Sequence, residues 1–563
     1  RYINKLLLIK ELSFMTNIIL NLLGLILITF SLIGYGTIVK NLNRNYDLFF
    51  VIIVGYFIIG FITLIIHFFY KINDIISLII IFLGLCLLFV SKFNILKKKT
   101  IYSFVCLIFF SFILLGFSNH PIDANMYHHP YVSYLKSEKI IFAIANIEFR
   151  FGHISLLQYV QASLTNNIFG PLTLSSLNII FYTFFLLFCF ETLLNKKENK
   201  FIFLTVLLIS SFLLIKMGRY REFGNDLIPF LVSFYFLIKL IKEKMLNTSE
   251  LQSTYFLYFP LYSSFMLTHK LSYIFSSLIF FLVCSKSKLK FTISNKYLIS
   301  IFIGFIFVWF IKNYIETSCL IYPLIQTCIK SSGWYLTGMA DPEKAMWLSE
   351  IWAKGFIDHP DWKNLDLNNY SKKFNWLSVW LNNHFIKILE KLSPIFLMIF
   401  VVSIYIFLSI NKREQDKFFS QIKLGQLVFA LLLVSIGLTI WFLKSPLFRY
   451  GSFYIVGFVI LSYLIIAYKF INKVNQNKLI KLRILFVFAF IFFVSKNINR
   501  QIHSENDILP LTKPPINNYN FLFHEPKILK PKTGSCYYTD FICSHEIPAN
   551  TKIIKKRKYY LIN

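Results

Sequence analysis

The sequence predicts an all-α polytopic membrane protein: a bundle of about 13–14 transmembrane helices, outer-face loops carrying interfacial helices, and a small extended C-terminal tail. Three observations predict it. Of the 563 residues, 56% are hydrophobic and 19% aromatic, while 15% are charged. Apolar runs of spanning length recur along nearly the whole chain, among them Leu48–Phe69, Leu174–Leu194 and Gln426–Leu443. A hydrocarbon core of ~30 Å needs about twenty apolar residues per helix, so these runs match a bilayer. Basic residues gather in every second linker between the runs, which is how a membrane protein sets its orientation.

Spans are placed near residues 17–38, 48–70, 74–90, 101–117, 174–194, 201–216, 226–242, 254–268, 270–284, 298–314, 386–410, 425–443, 450–468 and 481–496. The pair around Pro260 reads either as two crossings or as a short hairpin. The chain begins at Arg1, so the side of the first helix and the true N-terminus stay open. The run from Ile18 to Ile38 is too long for the apolar region of a secretory signal.

Lysine placement decides sidedness. Lys92 and Lys97–Lys99 precede the fourth span, and Lys196, Lys197 and Lys200 follow the fifth. Lys242 and Lys244, Lys286 to Lys296, Lys412 to Lys423, and Lys469 to Arg483 mark later linkers. These linkers are expected to be cytoplasmic. The opposite face then holds 118–173, 217–225, 315–385, 444–449 and the tail. The chain divides into a transmembrane domain, 1–497, and a periplasmic C-terminal tail, 498–563. Prolines at 510, 514, 515, 526, 531 and 548 make that tail extended or strand-like. A formal net charge of +31 could suit a nucleic acid. Its lysines lie between hydrophobic segments, so the expected partner is the lipid bilayer and no nucleic acid is expected.

Cys319 and Cys328 share one outer loop, and Cys536 and Cys543 share the tail. Disulfide pairing within each set suits an oxidising periplasm. Zinc is the alternative, but neither set has CxxC spacing or a clear pair of His partners. Cys86, Cys106, Cys189 and Cys284 lie in spans, where a small buried thiol needs no further role.

The first outer loop carries Asp123, Tyr127, His128, Arg150 and His153. Asp123 sits just beyond the fourth span, where a carboxylate can hold a divalent cation or act as a base. Arg150 could grip a phosphate with its planar fork. The stretches Tyr131–Ala145 and Ile154–Leu164 mix apolar and polar residues at helical spacing, as interfacial helices do. The bland alternative is a polar loop with capping Asp and Asn residues. The second outer loop carries Arg219, Arg221, Glu222 and Asp226. Asp226 either caps the following helix or faces Asp123 across a site, with Glu222 as the substitute. Arg219 and Arg221 bind phosphate or simply pair with Glu222. Lys270 and Arg449 sit at two further outer turns, so the combined picture is a cation-lined outer cavity suited to an anionic lipid-linked substrate. Asp123 and Asp226 are also the candidate ligands of a divalent cation, Mg2+ or Mn2+. Trp334, Trp347, Trp352, Trp362, Trp376 and Trp380 in the third outer loop suit an interfacial belt or stacking on sugar rings.

Together these motifs resemble a known pattern. It comprises Asp123 with Tyr127-His128, Asn146, Phe149-Arg-Phe-Gly-His153 and Arg219-Tyr-Arg-Glu-Phe-Gly-Asn-Asp226. Lys312-Asn-Tyr-Ile-Glu-Thr-Ser-Cys-Leu-Ile-Tyr-Pro323, Trp352-Ala-Lys-Gly355, Phe448-Arg-Tyr-Gly451, Cys536 and Cys543 complete it. The chain resembles, from about residue 100 onward, a family of bacterial multi-pass membrane proteins related to the GT-C superfamily of glycosyltransferases. The resemblance implies a GT-C-like helix bundle in the bacterial inner membrane with a periplasmic active face. It also implies an inverting transfer of sugar from a polyprenyl-phosphate-linked donor to a cell-envelope glycan or lipid acceptor. Asp123 takes the position of the essential acidic residue, and Asp226 or Glu222 that of the second. Two departures stand out. Three spans precede the one leading into the acidic loop, and the sequence at 123–125 is Asp-Ala-Asn rather than a DxD pair. An O-antigen polymerase or ligase acting on diphosphate-linked glycans is the enzyme alternative. A lipid or glycan transporter is the non-enzymatic one, for which inverted repeats and charged broken helices would be the sign.

Overall fold

The computed structural model describes residues 2–38, 47–91, 98–118, 121–243, 248–281, 293–410, 424–503, 518–532 and 534–563. The linker residues Lys92, Lys97, Lys244, Lys286, Lys288, Lys290, Lys412, Arg413, Lys417 and Lys423, together with Cys284 and the prolines at 510, 514 and 515, lie outside the described residues.

Helices form over the predicted runs. In chain order they are α1 (Tyr2–Gly36), α2 (Leu48–Phe69), α3 (Asp74–Val90), α4 (Lys98–Leu115), α5 (His129–Ser137), α6 (Leu156–Leu164), α7 (Ser176–Leu194), α8 (Lys200–Ile215), α9 (Leu227–Glu243), α10 (Thr248–His269), α11 (Ile293–Thr317), α12 (Pro342–Ala353), α13 (Ile386–Ser409), α14 (Leu424–Lys444), α15 (Phe448–Ile466) and α16 (Arg483–Ile502). Local chemistry explains several starts. Asp47 accepts the Phe50 N–H at 3.0 Å, Asn73 that of Ile76 at 3.0 Å, and Asn199 that of Phe201 at 2.9 Å. Each bond satisfies a helix-initiating N–H that has no partner within the helix.

Among the described residues, seven helices are long and apolar enough to cross a membrane, as expected of an all-α membrane protein. They are Thr16–Gly36, Leu48–Phe69, Thr173–Leu194, Ile299–Thr317, Leu377–Ser409, Leu424–Lys444 and Phe448–Ile466. Of the other predicted spans, 74–90 and 201–216 form apolar helices of 17 and 16 residues, and 270–284 a ten-residue 3-10 stretch, Leu271–Phe280, all short of the about twenty residues of a straight crossing. The bundle is layered: 78% of the best window of Thr173–Leu194 is buried, against 33% for Leu424–Lys444. The outer helices turn Leu397, Phe400, Phe407, Ile303 and Phe307 outward, each more than half exposed. A face this apolar belongs against lipid rather than water.

Helices in an apolar solvent associate by close approach over small residues. Gly34 of α1 meets Gly84 of α3 so closely that a Cβ on Gly34 would lie 1.8 Å from the Gly84 carbonyl oxygen. Gly55 of α2 similarly faces the Leu32 carbonyl at 1.9 Å. Backbone has no side-chain freedom with which to yield. Gly34→Val is therefore expected to part α1 from α3 and cost about 1–3 kcal/mol, read as a lower thermal midpoint in detergent. An unchanged midpoint would contradict the packing.

The outer loops and the tail form one layer. The tail carries β1 (Tyr519–His524), β2 (Lys527–Pro531), β3 (Ile542–Cys543), β4 (Ile553–Lys556) and β5 (Tyr559–Ile562). β1 pairs antiparallel with β2, β2 parallel with β3, and β4 antiparallel with β5. Disulfides join Cys319 to Cys328 and Cys536 to Cys543. The tail is laced to the first outer loop. Phe142 donates its N–H to Tyr560 O at 2.9 Å and accepts that of Ile562 at 3.1 Å; Tyr537 N–H reaches Asn125 O at 2.9 Å.

Two expectations are corrected. The stretches 131–145 and 154–164 do not lie flat at the surface. All of α6 is buried, and so is His129–Leu135 of α5, because they pack inside the outer layer. The tryptophans do not form one belt either. Trp376 and Trp380 are buried, while Trp352 and Trp362 are exposed.

Beneath α5 lies a buried ionic contact. Lys312 Nζ stands 2.8 Å from Glu316 Oε2 on α11, and both side chains are fully inaccessible. Tyr131 OH of α5 donates to the Glu316 carboxylate at 2.8 Å. The Lys312 ammonium also sits over the Trp309 ring, 4.9 Å from its centroid. The pair thus ties the outer loop to a membrane helix.

Candidate functional site

Asp123 opens a π-helical turn, Ala124–His128, that leads into α5. Its side chain makes no capping hydrogen bond, so it is not spent on the helix end. The wide turn brings Asp123, Tyr127 and His128 to one side, where they line a cleft with Arg219, Glu222, Asp226, Arg449 and Tyr450. The cleft is narrow: its cavity volume is about 70 Å³, well below the roughly 300–1,000 Å³ of small-molecule pockets.

Three charged clusters meet there. Asp123 Oδ2 lies 2.8 Å from Arg449 Nη1 at the start of α15. Asp226, immediately before α9, pairs with Lys270 and lies 3.7 Å from Arg219. Glu222 pairs with Arg219. Burial works against ionisation of Asp226, but Lys270, Arg219 and Arg449 outweigh it and hold the carboxyl well below the usual range. Three carboxylates thus face three cations. An incoming phosphate can compete for the cations and free a carboxylate.

Neighbours hold these groups in place. Asn178 of α7 donates to Glu222 O at 2.8 Å and to Gly224 O at 3.0 Å, shaping the second loop. Gln158 of α6 uses its carbonyl for the Ser155 N–H and its amide for His128 Nδ1, at 2.7 Å. Nδ1 therefore accepts, and the proton sits on Nε2. Burial lowers the His128 pKa to about 4, so the ring is neutral at pH 7. Tyr450 underlies both cations: Lys270 Nζ is 4.4 Å and the Arg449 guanidinium 4.9 Å from its ring centroid.

The structure brings together Asp123, Tyr127, His128, Arg219, Glu222, Asp226, Lys270 and Arg449. Arg150, His153 and Arg221, predicted to bind substrate, do not line the cleft. Arg150 turns to Glu148, at 3.0 Å, and to Glu546 of the tail, at 3.3 Å. It touches the site indirectly, its guanidinium 5.7 Å from the Tyr127 ring centroid. His153 is wedged against Tyr322, ring centroids 5.0 Å apart. Arg221 is half-buried beside Tyr220 and Arg500. Sequence reading missed Gln158, and it included Tyr450 within Phe448–Gly451 without giving it a role. An amide near a His and a Tyr beside an Arg carry no signal until the fold joins them.

Asp123 and Asp226, the predicted metal set, each face a cation, Arg449 and Lys270. Among the described residues, the group of three acidic and histidine side chains whose donor atoms lie close enough to share an ion is Glu148, His545 and Glu546. A second, wider groove runs between the tail and the α2–α3 turn, with Lys71, Lys136, Lys527, Asp74, Glu138 and Asp540 among its walls. None of the sequence-predicted site residues lines it.

A family model described as a domain of unknown function, DUF8201, matches residues 15–456, and the chain belongs to that family. The matched segment contains every cleft-lining residue and stops short of the tail. No curated protein and no solved structure matches the chain.

Proposed function

We propose that this member of the DUF8201 family is a GT-C-like, inverting membrane glycosyltransferase. It takes a sugar from a polyprenyl-phosphate-linked donor and passes it to a cell-envelope glycan or lipid acceptor, on the periplasmic face of a bacterial inner membrane. One observation carries the reading: carboxylates and cations from the first loop, the second loop and the α15 start line one cleft, and Lys270, just after α10, pairs with Asp226 there.

In this reading the donor phosphate binds Arg449, Lys270 and Arg219. By taking Arg449 it releases Asp123, which then accepts the proton of the acceptor hydroxyl. The acceptor oxygen attacks the anomeric carbon from the face opposite the phosphate. The bond from that carbon to the phosphate oxygen breaks, and its electron pair leaves with the phosphate. The three cations stabilise the growing phosphate charge in a site partly closed to water. Asp226 positions Lys270 rather than reacting. Neutral His128 can donate its Nε2 proton to a sugar or phosphate oxygen.

The test is transfer of labelled sugar by purified chain from a panel of polyprenyl-phosphate and polyprenyl-diphosphate donors. One donor class is expected to give product. Arg449→Gln is expected to raise the donor KM about 10–100-fold, the worth of a charge-assisted hydrogen bond. No product with any donor would end the proposal. The guanidinium groups of Arg219 and Arg449 beside His128 favour a second reading, an O-antigen polymerase or ligase on diphosphate-linked glycans. Loss of activity in Arg449→Gln with activity retained in Asp123→Asn would select it.

A further inference from the structure

Glu148 is a puzzle that the cleft does not use. It is 1% exposed, yet only Oε1 is bonded, to the Arg150 N–H and guanidinium. Oε2 is buried without a hydrogen bond and aims at His545 of the tail, whose Nδ1 lies 3.6 Å away. Neither ring nitrogen of His545 has a hydrogen-bond partner. Its Nε2 lies 3.4 Å from Glu546 Oε1. One donor atom from each of the three residues falls within 4.8 Å of the others. A carboxylate oxygen taken out of water without a bond costs free energy that a ligand would recover.

The donors are held by independent contacts. Ser544 Oγ donates to Ile147 O at 2.6 Å, and Glu546 N–H donates to Ser544 Oγ at 3.1 Å. These bonds set residues 544–546 of the tail opposite Glu148. Arg150 spans both carboxylates and fixes their orientation from outside, as outer partners of metal ligands do.

We propose that Glu148, His545 and Glu546 form a zinc site that clamps the C-terminal tail to the first outer loop. One imidazole with two carboxylates suits a borderline cation such as Zn2+ better than Mg2+ or Ca2+, which prefer all-oxygen sets. Donors about 2.0–2.2 Å from one ion stand about 3–4 Å apart, so small side-chain movements complete the set. The site is separate from the cleft, and the inference does not depend on sugar transfer.

The test is calorimetric titration of Zn2+ into the full chain in detergent, with any affinity tag removed, no reductant present and prior dialysis against a chelator. One zinc per chain is expected, bound at least 100-fold more tightly than Mg2+. His545→Ala and Glu546→Gln alter partly exposed tail residues, so folding is expected to survive, and each is expected to weaken zinc at least tenfold. Glu148→Gln is expected to do the same. The proposal is overturned by absence of stoichiometric zinc in the wild type, as a protonated imidazole bridging two carboxylates would give. It is equally overturned by unchanged affinity in folded His545→Ala, or by equal affinity for Mg2+.

Discussion

Replacing Asp123 by Asn is expected to lower sugar transfer about 10²–10⁴-fold, the usual contribution of a positioned general base. Asn keeps the size of Asp and can still accept a hydrogen bond from Arg449, so the cleft keeps its shape. What it loses is the ability to take a proton from the acceptor hydroxyl. The fold should be indifferent: the Asp123 side chain is 43% exposed in its pair with Arg449, and such pairs contribute at most about 1 kcal/mol. The measurement is kcat in the donor assay beside the thermal midpoint of the same preparation. A large drop in kcat at constant midpoint is expected. Near-normal kcat would remove Asp123 from the chemistry.

The second large effect falls on stability. Glu316→Ala leaves Lys312 charged and inaccessible, and it deprives Tyr131 of its acceptor. Breaking one half of a buried pair costs about 3–5 kcal/mol, because the remaining charge is uncompensated. A steep fall in thermal midpoint or in yield is expected. The double change Lys312→Met with Glu316→Leu should recover most of the loss, since it leaves no buried charge. If the single and double variants are equally unstable, the ion pair is not what the site depends on.

The helices were legible because each bilayer-facing run advertises itself in composition, and capping residues such as Asp47 and Asn73 mark where runs begin. Span length was less legible. Hydropathy reads a run such as 201–216 as a crossing, while the helix there has only 16 residues. The cleft was legible in its charged members, since a charge beside an apolar run has few places to go. Asp123, Glu222, Asp226, Arg219, Lys270 and Arg449 come from four separated segments, and each was visible locally. Arg150 and His153 looked equivalent to them in sequence. Their partners separate them: Glu148 and the tail's Glu546 draw Arg150 aside, and Tyr322 packs against His153; no local pattern links Arg150 to a residue some 400 positions away. The amphipathic look of 154–164 misled for a similar reason. Its polar residues Ser155, Gln158 and Gln161 serve internal partners, Gln158 holding His128 and Gln161 donating to Leu174 O at 2.9 Å.

The contacts around Phe142 impose a rule of parity on the chain. Phe142 touches both Trp334, ring centroids 5.0 Å apart, and the tail strand at Tyr560 and Ile562. All three segments therefore end on one side of a bilayer, and any stretch of chain between two of them passes through it an even number of times. Two long spans, Thr173–Leu194 and Ile299–Thr317, lie between Phe142 and Trp334. The shorter helices between these two can traverse only in pairs. Three long spans lie between Trp334 and the tail. An odd number of additional passages is then required, and α16, with 20 residues, is the helix after those three spans best suited to supply one.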